Sequence, residues 1–391
     1  MKRRWLASGV LVTFTVFMLY LSSRVVRNRV ATVRLAGEKD KNPRSNRDLK
    51  KILYWNSFFG YEDYAFGFGR APFVKNNCPV DNCLVTNRRD VGPNLEDFDA
   101  IIFHAWQLGW ITKRALSARR RPHQRYVFFL LESPSIHRSR LDHLTDFFNW
   151  TMTYRRDSDI YRPYSLFVPV NESRSYLDLD QMRHPVWADP VNATPVEVPS
   201  GKTRLVAWFV SNCRTPGKRE LYVQELSKHV QVDVYGKCGS PECPWHKRGE
   251  CLRRYKFYLS FENSLCRDYA TEKLFSVMRH DVVPVVYGGA DYREVAPPGS
   301  YVDTKDFANP ERLAEHLKYL DANPREYAKY LSWKRSYAVR DDVMALAMCK
   351  LCAMLNDPSL PPKSYGDIHQ WYGGPPVCRY PVSKWSRYRR R

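Results

Sequence analysis

Short apolar runs alternating with amphipathic segments leave a chain few ways to fold, and this one shows that alternation twice. "KKILYWNSFF", "FDAIIFHAW" and "QRYVFFLLESP" are continuous, β-branched or aromatic, and bounded by turn residues. Between the second and third, "LGWITKRALSARRR" has helical spacing. Such runs read as strands buried on both faces, in a parallel sheet covered by helices. "LDHLTDFFNWTMTYRRDSDIYRPYSLFVP" continues this first half. "HPVWADPVNATPVEVPSGK" then places four prolines between His184 and Lys202 and reads as a boundary. Beyond it the alternation restarts with strand "RLVAWFVSN", helix "RELYVQELSKHV", strands "QVDVYG" and "YKFYLSF", helix "TEKLFSVMRH" and strand "VVPVVYGG". "PERLAEHLKYLDAN" and "RDDVMALAMCKLCAML" close the chain as helices. The expected fold class is α/β, two βαβ-type halves joined by a linker.

The N-terminus adds a different constraint. Lys2, Arg3 and Arg4 precede 19 uncharged residues, Trp5 to Ser23, enough at about 1.5 Å per residue to cross a bilayer core. A cleaved signal peptide is the competing reading, but "YLSSRVVRNR" offers no convincing cleavage site. The expectation is a cytoplasmic tail (1–4), a signal-anchor (5–23), a stem (24–50), a first domain (51–185), a linker (186–202), a second domain (203–360) and a C-terminal segment (361–391). A chain so anchored is lumenal. Ten cysteines then point to disulfides, and the sequons at Asn149, Asn171 and Asn192 to N-glycosylation.

The net charge of +21 raises the question of nucleic acid. Residues 1–50 carry a net +9 and residues 379–391 a net +6, which leaves +6 for the 328 residues between. That distribution, with the lumenal location, argues against nucleic acid and suits a small anionic substrate.

"YKFYLSFENSLCRDYATEKLF" is where such a substrate would bind. A strand, a polar exit loop and a helix follow one another, and ligands of open parallel sheets sit beyond the carboxyl ends of strands. The helix N-terminus favours phosphate, and Lys273 in its first turn makes sense with an anion beside it. An ordinary βα turn is the alternative. The string resembles the GDP-fucose-using α1,3-fucosyltransferases, together with "VSNC…KRELY", "DVYGKCG", "VVPVVYGG" and "APPGSYVDTKDF". The resemblance runs from about residue 50 to about 380 and is closest to invertebrate members. It implies two Rossmann-like domains facing each other across a cleft (GT-B), the first binding the acceptor and the second GDP-fucose. It also implies inverting transfer of fucose to N-acetylglucosamine of glycoprotein glycans, no required cofactor, and a single-pass type II protein of the Golgi membrane. Donor contacts of the family match Asn263, Tyr269, Glu272 and Lys273, and Arg219 matches its phosphate-binding arginine.

Departing GDP needs cations and N–H donors, for which Arg219 offers a fork and Lys273 a point charge. The attacking hydroxyl needs a base. Glu132, at the end of the apolar strand in "VFFLLESPS" with Pro134 forcing a turn, is the candidate, and the resemblance places the family's proposed base there. A turn-capping glutamate is the alternative. His104, ending "IIFH", is an acceptor-side candidate or a histidine packed at a strand end. In "YRRDSDIYRPY" we read an arginine–carboxylate network near the cleft, with Arg156 and Asp159 as acceptor-side candidates. The D-x-D pair Asp157 and Asp159 has a second reading, a metal site of another glycosyltransferase class.

Cys238, Cys243, His246 and Cys251 have spacing that zinc could use, though an oxidising lumen favours disulfides. Cys349 and Cys352 could form a redox pair; the resemblance suggests instead that they join Cys78 and Cys83. A non-catalytic lumenal glycan-binding protein is the remaining alternative, against which the set Glu132, Arg219, Glu272 and Lys273 speaks.

Overall fold

The computed structural model describes residues 49–89, 94–108, 120–137, 141–172, 176–187, 196–240 and 242–381. The tail, the anchor Trp5–Ser23, nearly all the stem, most of "LGWITKRALSARRR" and Asn192 lie outside them. Among the described residues no helix is long and apolar enough to cross a membrane.

Two parallel sheets carry the fold. The first is built from β1 (Lys50–Tyr54), β2 (Cys83–Thr86), β3 (Ala100–His104), β4 (Arg125–Leu130), β5 (Trp150–Thr153) and β6 (Ile160–Tyr161), in the order β2-β1-β3-β4-β5-β6. β7 (Leu166–Pro169) leaves this sheet. The second contains β8 (Arg204–Phe209), β9 (Val232–Tyr235), β10 (Tyr255–Phe261), β12 (Val283–Tyr287) and β13 (Val302–Asp303), in the order β13-β12-β10-β8-β9. Between β10 and β12 comes β11 (Leu265–Cys266), which pairs antiparallel with β15 (Cys378–Arg379). β14 (Tyr337–Arg340) pairs antiparallel with β7.

The apolar runs are continuous because both faces of each sheet are covered. Successive residues of β4 point opposite ways: Val127 and Phe129 into one core, Tyr126, Phe128 and Leu130 into another. What covers those faces departs from the expected domain division. The Val343–Leu355 helix, read from sequence as part of the second half, packs into the first core through Val343, Leu346, Ala347, Leu351 and its cysteines. Tyr365, Ile368 and Tyr372 cover the opposite face. The chain therefore crosses back to clasp the first sheet from both sides, and the β7–β14 ladder marks the crossing. In the second sheet, Val223 and Leu226 of the Arg219–Leu226 helix and Leu313, Leu317 and Leu320 of the Pro310–Ala322 helix share one core with Val206, Leu259 and Val285.

Disulfides hold this return. Cys78–Cys349 and Cys83–Cys352 link residues 271 and 269 apart, so the helix is bonded to the first half as well as packed on it. Cys213–Cys238 and Cys243–Cys251 use up the sulfurs that a zinc reading needs, and Cys266–Cys378 staples β11 to β15.

Candidate active site

In each sheet the strand order reverses next to its first strand, between β1 and β3 and between β8 and β10, the places where doubly wound folds leave a crevice. At the second reversal Arg219 follows β8 and Lys273 follows β10. Arg219 is 4% exposed; it donates to the Phe261 carbonyl at 2.6 Å and to that of Asn212 at 3.3 Å, and its Nε has no partner among the described residues. Asn263 Oδ1 is buried and also unpartnered among the described residues. Gly217 brings the loop before Arg219 onto this turn: its N–H donates to the Asn263 carbonyl at 2.8 Å, and a Cβ there would lie 3.0 Å from that oxygen. Unpartnered donors and acceptors at a crevice are what a polar ligand completes.

The helix at this turn is one turn long, Glu272–Phe275. Its leading N–H groups are largely engaged already: Thr271 Oγ1 accepts from Lys273 N at 3.4 Å, and Glu262 accepts from Thr271 N at 2.8 Å. The expected anion-binding helix terminus is therefore not what the turn offers; its positive charge comes from side chains. Lys273 Nζ lies 3.4 Å from Glu262, and 3.0 Å from Glu272, whose side chain is half exposed. Burial alone would lower the Lys273 ammonium, but Glu262 and Glu272 outweigh it and hold its pKa above the usual lysine value. Burial pushes Glu272 up, and Lys273 more than offsets that, leaving it below the carboxylate range.

Glu262 is a participant that sequence reading passed over. At 1% exposure it takes the Thr271 amide and hydroxyl and faces Lys273. Its position inside "FENS" gave no signal, because nothing in a sequence distinguishes a loop carboxylate from one folded inward.

Glu132 approaches from the first half, at the exit of β4. The Ser133 hydroxyl donates to Ser264 Oγ at 2.6 Å and the Ser135 hydroxyl rests 3.1 Å from Cys266 Sγ, so the ESP turn lies on the donor-side loop. Tyr269, 1% exposed, donates its hydroxyl to Glu132 Oε2 at 3.2 Å, and Tyr372 donates to the Glu132 carbonyl. Burial raises the Glu132 carboxyl; the Lys273 charge and the Tyr269 hydrogen bond pull it partly back. The carboxyl ends of the two sheets thus meet, with a base-type carboxylate on one side and two cations on the other.

Residues 47–165 match the profile described as fucosyltransferase, N-terminal, and residues 199–371 that of glycosyltransferase family 10 (fucosyltransferase), C-terminal. The chain is 37% identical to alpha-(1,3)-fucosyltransferase C of Drosophila melanogaster over 366 residues, covering 88% of this chain and 82% of that one. The chain belongs to the fucosyltransferases of glycosyltransferase family 10. Other relatives are glycoprotein 3-alpha-L-fucosyltransferase A of Drosophila melanogaster (33%; 89% of this chain, 65% of that one) and a 4-galactosyl-N-acetylglucosaminide 3-alpha-L-fucosyltransferase of Homo sapiens (38%; 71% and 69%). The fold resembles a crystal structure of an alpha1,3-fucosyltransferase at a TM-score of 0.51 and 15% identity, covering 84% of this chain and 95% of that one.

In this fucosyltransferase the remaining sequence candidates have the following surroundings. Tyr269 faces Glu132. His104 is fully buried, with Nδ1 3.0 Å from the Ser57 carbonyl and the rings of Phe58, Phe59 and Phe129 around it; burial pushes its pKa down to about 4. A histidine so enclosed packs a strand end, and its Nε2 is buried without a partner among the described residues. Asp159 accepts from Thr151 N at 2.8 Å and the Tyr365 hydroxyl at 2.8 Å and pairs with Lys363, which makes it a clamp on the returning C-terminal segment. Asp157 binds Arg155 and Arg267 instead, so the D-x-D carboxylates serve different partners. Arg156 is buried and joins the halves, donating to the Glu294 side chain and, at 2.7 Å, to its carbonyl. Asn149 uses its amide inside the fold, donating to the Lys363 carbonyl at 2.8 Å and accepting from Tyr126 N at 2.8 Å, whereas Asn171 is exposed.

Proposed function

We propose that this fucosyltransferase moves L-fucose from GDP-fucose to N-acetylglucosamine of glycoprotein glycans in α1,3 linkage and with inversion. Supporting this reading above all is the opposition of Glu132 to Arg219 and Lys273 across the meeting ends of the two sheets. Glu132, raised by burial, accepts the proton of the attacking hydroxyl as that oxygen bonds to the anomeric carbon. The bond from that carbon to the β-phosphate breaks on the opposite face, and GDP leaves with its charge met by the guanidinium and the ammonium. Asn263 Oδ1 and the half-exposed Glu272 supply acceptors for sugar hydroxyls of the donor. The reaction so written needs no cofactor. Residues 5–23 anchor the chain in the Golgi membrane in type II orientation, with the two sheets in the lumen.

The test incubates the membrane-bound full chain with GDP-fucose and N-glycan acceptors, beside Glu132→Gln and Lys273→Ala. Transfer of fucose to the 3-position of N-acetylglucosamine, lost in Glu132→Gln while GDP still binds, is the expected result. Full transfer by Glu132→Gln would remove it from the role of base.

A further inference from the structure

The β11–β15 ribbon separates two cavities, and strand alternation assigns its side chains between them. Leu265, Arg267, Val377 and Arg379 face a cavity of about 660 Å³ beyond the ends of β12 and β13. Cys378 and Tyr380 face a cavity of about 250 Å³ against Pro134 and Ser135 of the ESP turn. The Cys266–Cys378 disulfide holds the two strands together, and Gly289 lets the ribbon pass: a Cβ there would stand 2.4 Å from the Leu265 backbone.

We propose that the larger cavity is a carbohydrate subsite, which holds sugars of the acceptor glycan beyond the one that receives fucose. The inference rests on the functional reading above. None of the residues placed at the donor crevice, Arg219, Asn263, Glu272 or Lys273, lines this cavity. It is nonetheless close to the reacting centre: Arg267 in its wall precedes Tyr269 by two residues, at most about 7 Å of chain, and Tyr269 holds Glu132. Its volume falls within the range of about 300–1,000 Å³ usual for small-ligand clefts.

The lining selects an uncharged polyhydroxylated ligand. Arg379 is exposed and has no ion pair among the described residues. Among the described residues Asp303 accepts only from the Lys305 amide, at 2.9 Å, and Asp306 has no cationic partner. Lys305 Nζ gives one hydrogen bond to the Ala290 carbonyl at 2.9 Å and keeps further donors. Tyr301 adds a half-buried ring. Arg267 and Arg293 of the lining are already paired with Asp157 and Asp291, so a phosphate drawn to Arg379 and Lys305 would meet Asp303 and Asp306 at like charge. Sugar hydroxyls satisfy both sets, donating to the carboxylates and accepting from the cations, while a sugar face lies on the aromatic ring.

The test uses the full chain with Arg379→Ala and Asp306→Ala, both exposed, singly and together. Three quantities are measured: KM for an extended N-glycan, KM for a simple N-acetylglucosamine glycoside, and the dissociation constant of GDP. Saturation-transfer NMR with the extended glycan provides a readout without turnover. Loss of a hydrogen bond to the glycan raises KM for the extended acceptor by about tenfold in a single variant. KM for the simple glycoside and GDP affinity change less than twofold, and saturation transfer to the distal sugars weakens. An equal rise for both acceptors overturns the subsite. A matching loss of GDP affinity overturns it as well, by assigning the cavity to the donor. If the wild type transfers no fucose to either acceptor, the functional reading falls, and NMR alone decides the cavity. Saturation of the distal sugars by the wild type that the variants abolish supports the subsite, and no such saturation by the wild type ends it.

Discussion

The two strand-order reversals of this molecule share a topology and differ in what stands in them. Between β1 and β3, the Asn56 side chain accepts from His104 N and donates to the His104 carbonyl, each at 2.9 Å, and Phe58 and Phe59 pack on the imidazole. That crevice is filled by the protein's own aromatic side chains, with His104 Nε2 left buried and without a partner among the described residues. Between β8 and β10, Arg219 Nε and Asn263 Oδ1 are buried without partners among the described residues, and a lysine stands beside two carboxylates. The contrast runs the other way for the glutamates beyond the central strands. Glu262 has its carboxylate taken by Thr271 and Lys273, whereas Glu132 receives one side-chain hydrogen bond, from Tyr269. Topology supplies the place for a ligand twice; aromatic rings fill the first, and charged and amide side chains line the second.

The largest expected effect separates the two glutamates by function. Glu132→Gln lowers kcat by about 10²–10⁴-fold with unfolding stability and GDP affinity near wild type. Glu262→Gln has the other signature: loss of a charge paired in the interior costs about 3 kcal/mol in denaturant unfolding, and GDP binding weakens because Lys273 and Thr271 lose their support. Equal behaviour of the two variants in both assays would erase the distinction.

A smaller effect tests the filled crevice. His104 is fully buried and its pKa is about 4 in the fold, against roughly 6.5 in the unfolded chain. The unfolded state therefore binds the extra proton first, and stability present above pH 6.5 is lost as pH falls toward 4, roughly 2 kcal/mol by pH 5. Unfolding curves at pH 7 and pH 5 should show that loss, and His104→Leu should remove it. A variant with the same pH slope would mean that His104 is solvated.

The smallest effect is a displaced pH profile. Activity rises with pH as Glu132 deprotonates, at a pH above the ordinary carboxylate range because burial raises its pKa. The charge of Lys273 and the hydroxyl of Tyr269 both lower that pKa, so Lys273→Ala and Tyr269→Phe should each move the acid limb of kcat/KM to higher pH. An unmoved limb would place the titrating group elsewhere.

The amino-acid sequence by itself determined the strand runs, the two-half order and the residue types at the donor turn. Continuous β-branched and aromatic runs can be buried only on both faces, and a strand exit with Asn263, Glu272 and Lys273 is a local pattern. Tertiary structure decided the rest. β11 and β15 are two residues each and 112 residues apart at their cysteines, too short for any periodicity to announce. The Val343–Leu355 helix is apolar on most of its surface, with Val343 to Cys349, Leu351 and Cys352 buried, so its pattern could not say which sheet it would cover. Glu262, Asp159 and His104 read alike as polar groups near strand ends. Only burial and the partners that folding brings to each distinguish a carboxylate that supports a lysine, one that clamps a returning chain, and an imidazole held neutral. Asp159 and His104 meet Tyr365 and Ser57, 206 and 47 positions away, so no local stretch contains their environments; Glu262 meets Thr271 only 9 residues on, but it is the fold that turns its carboxylate inward.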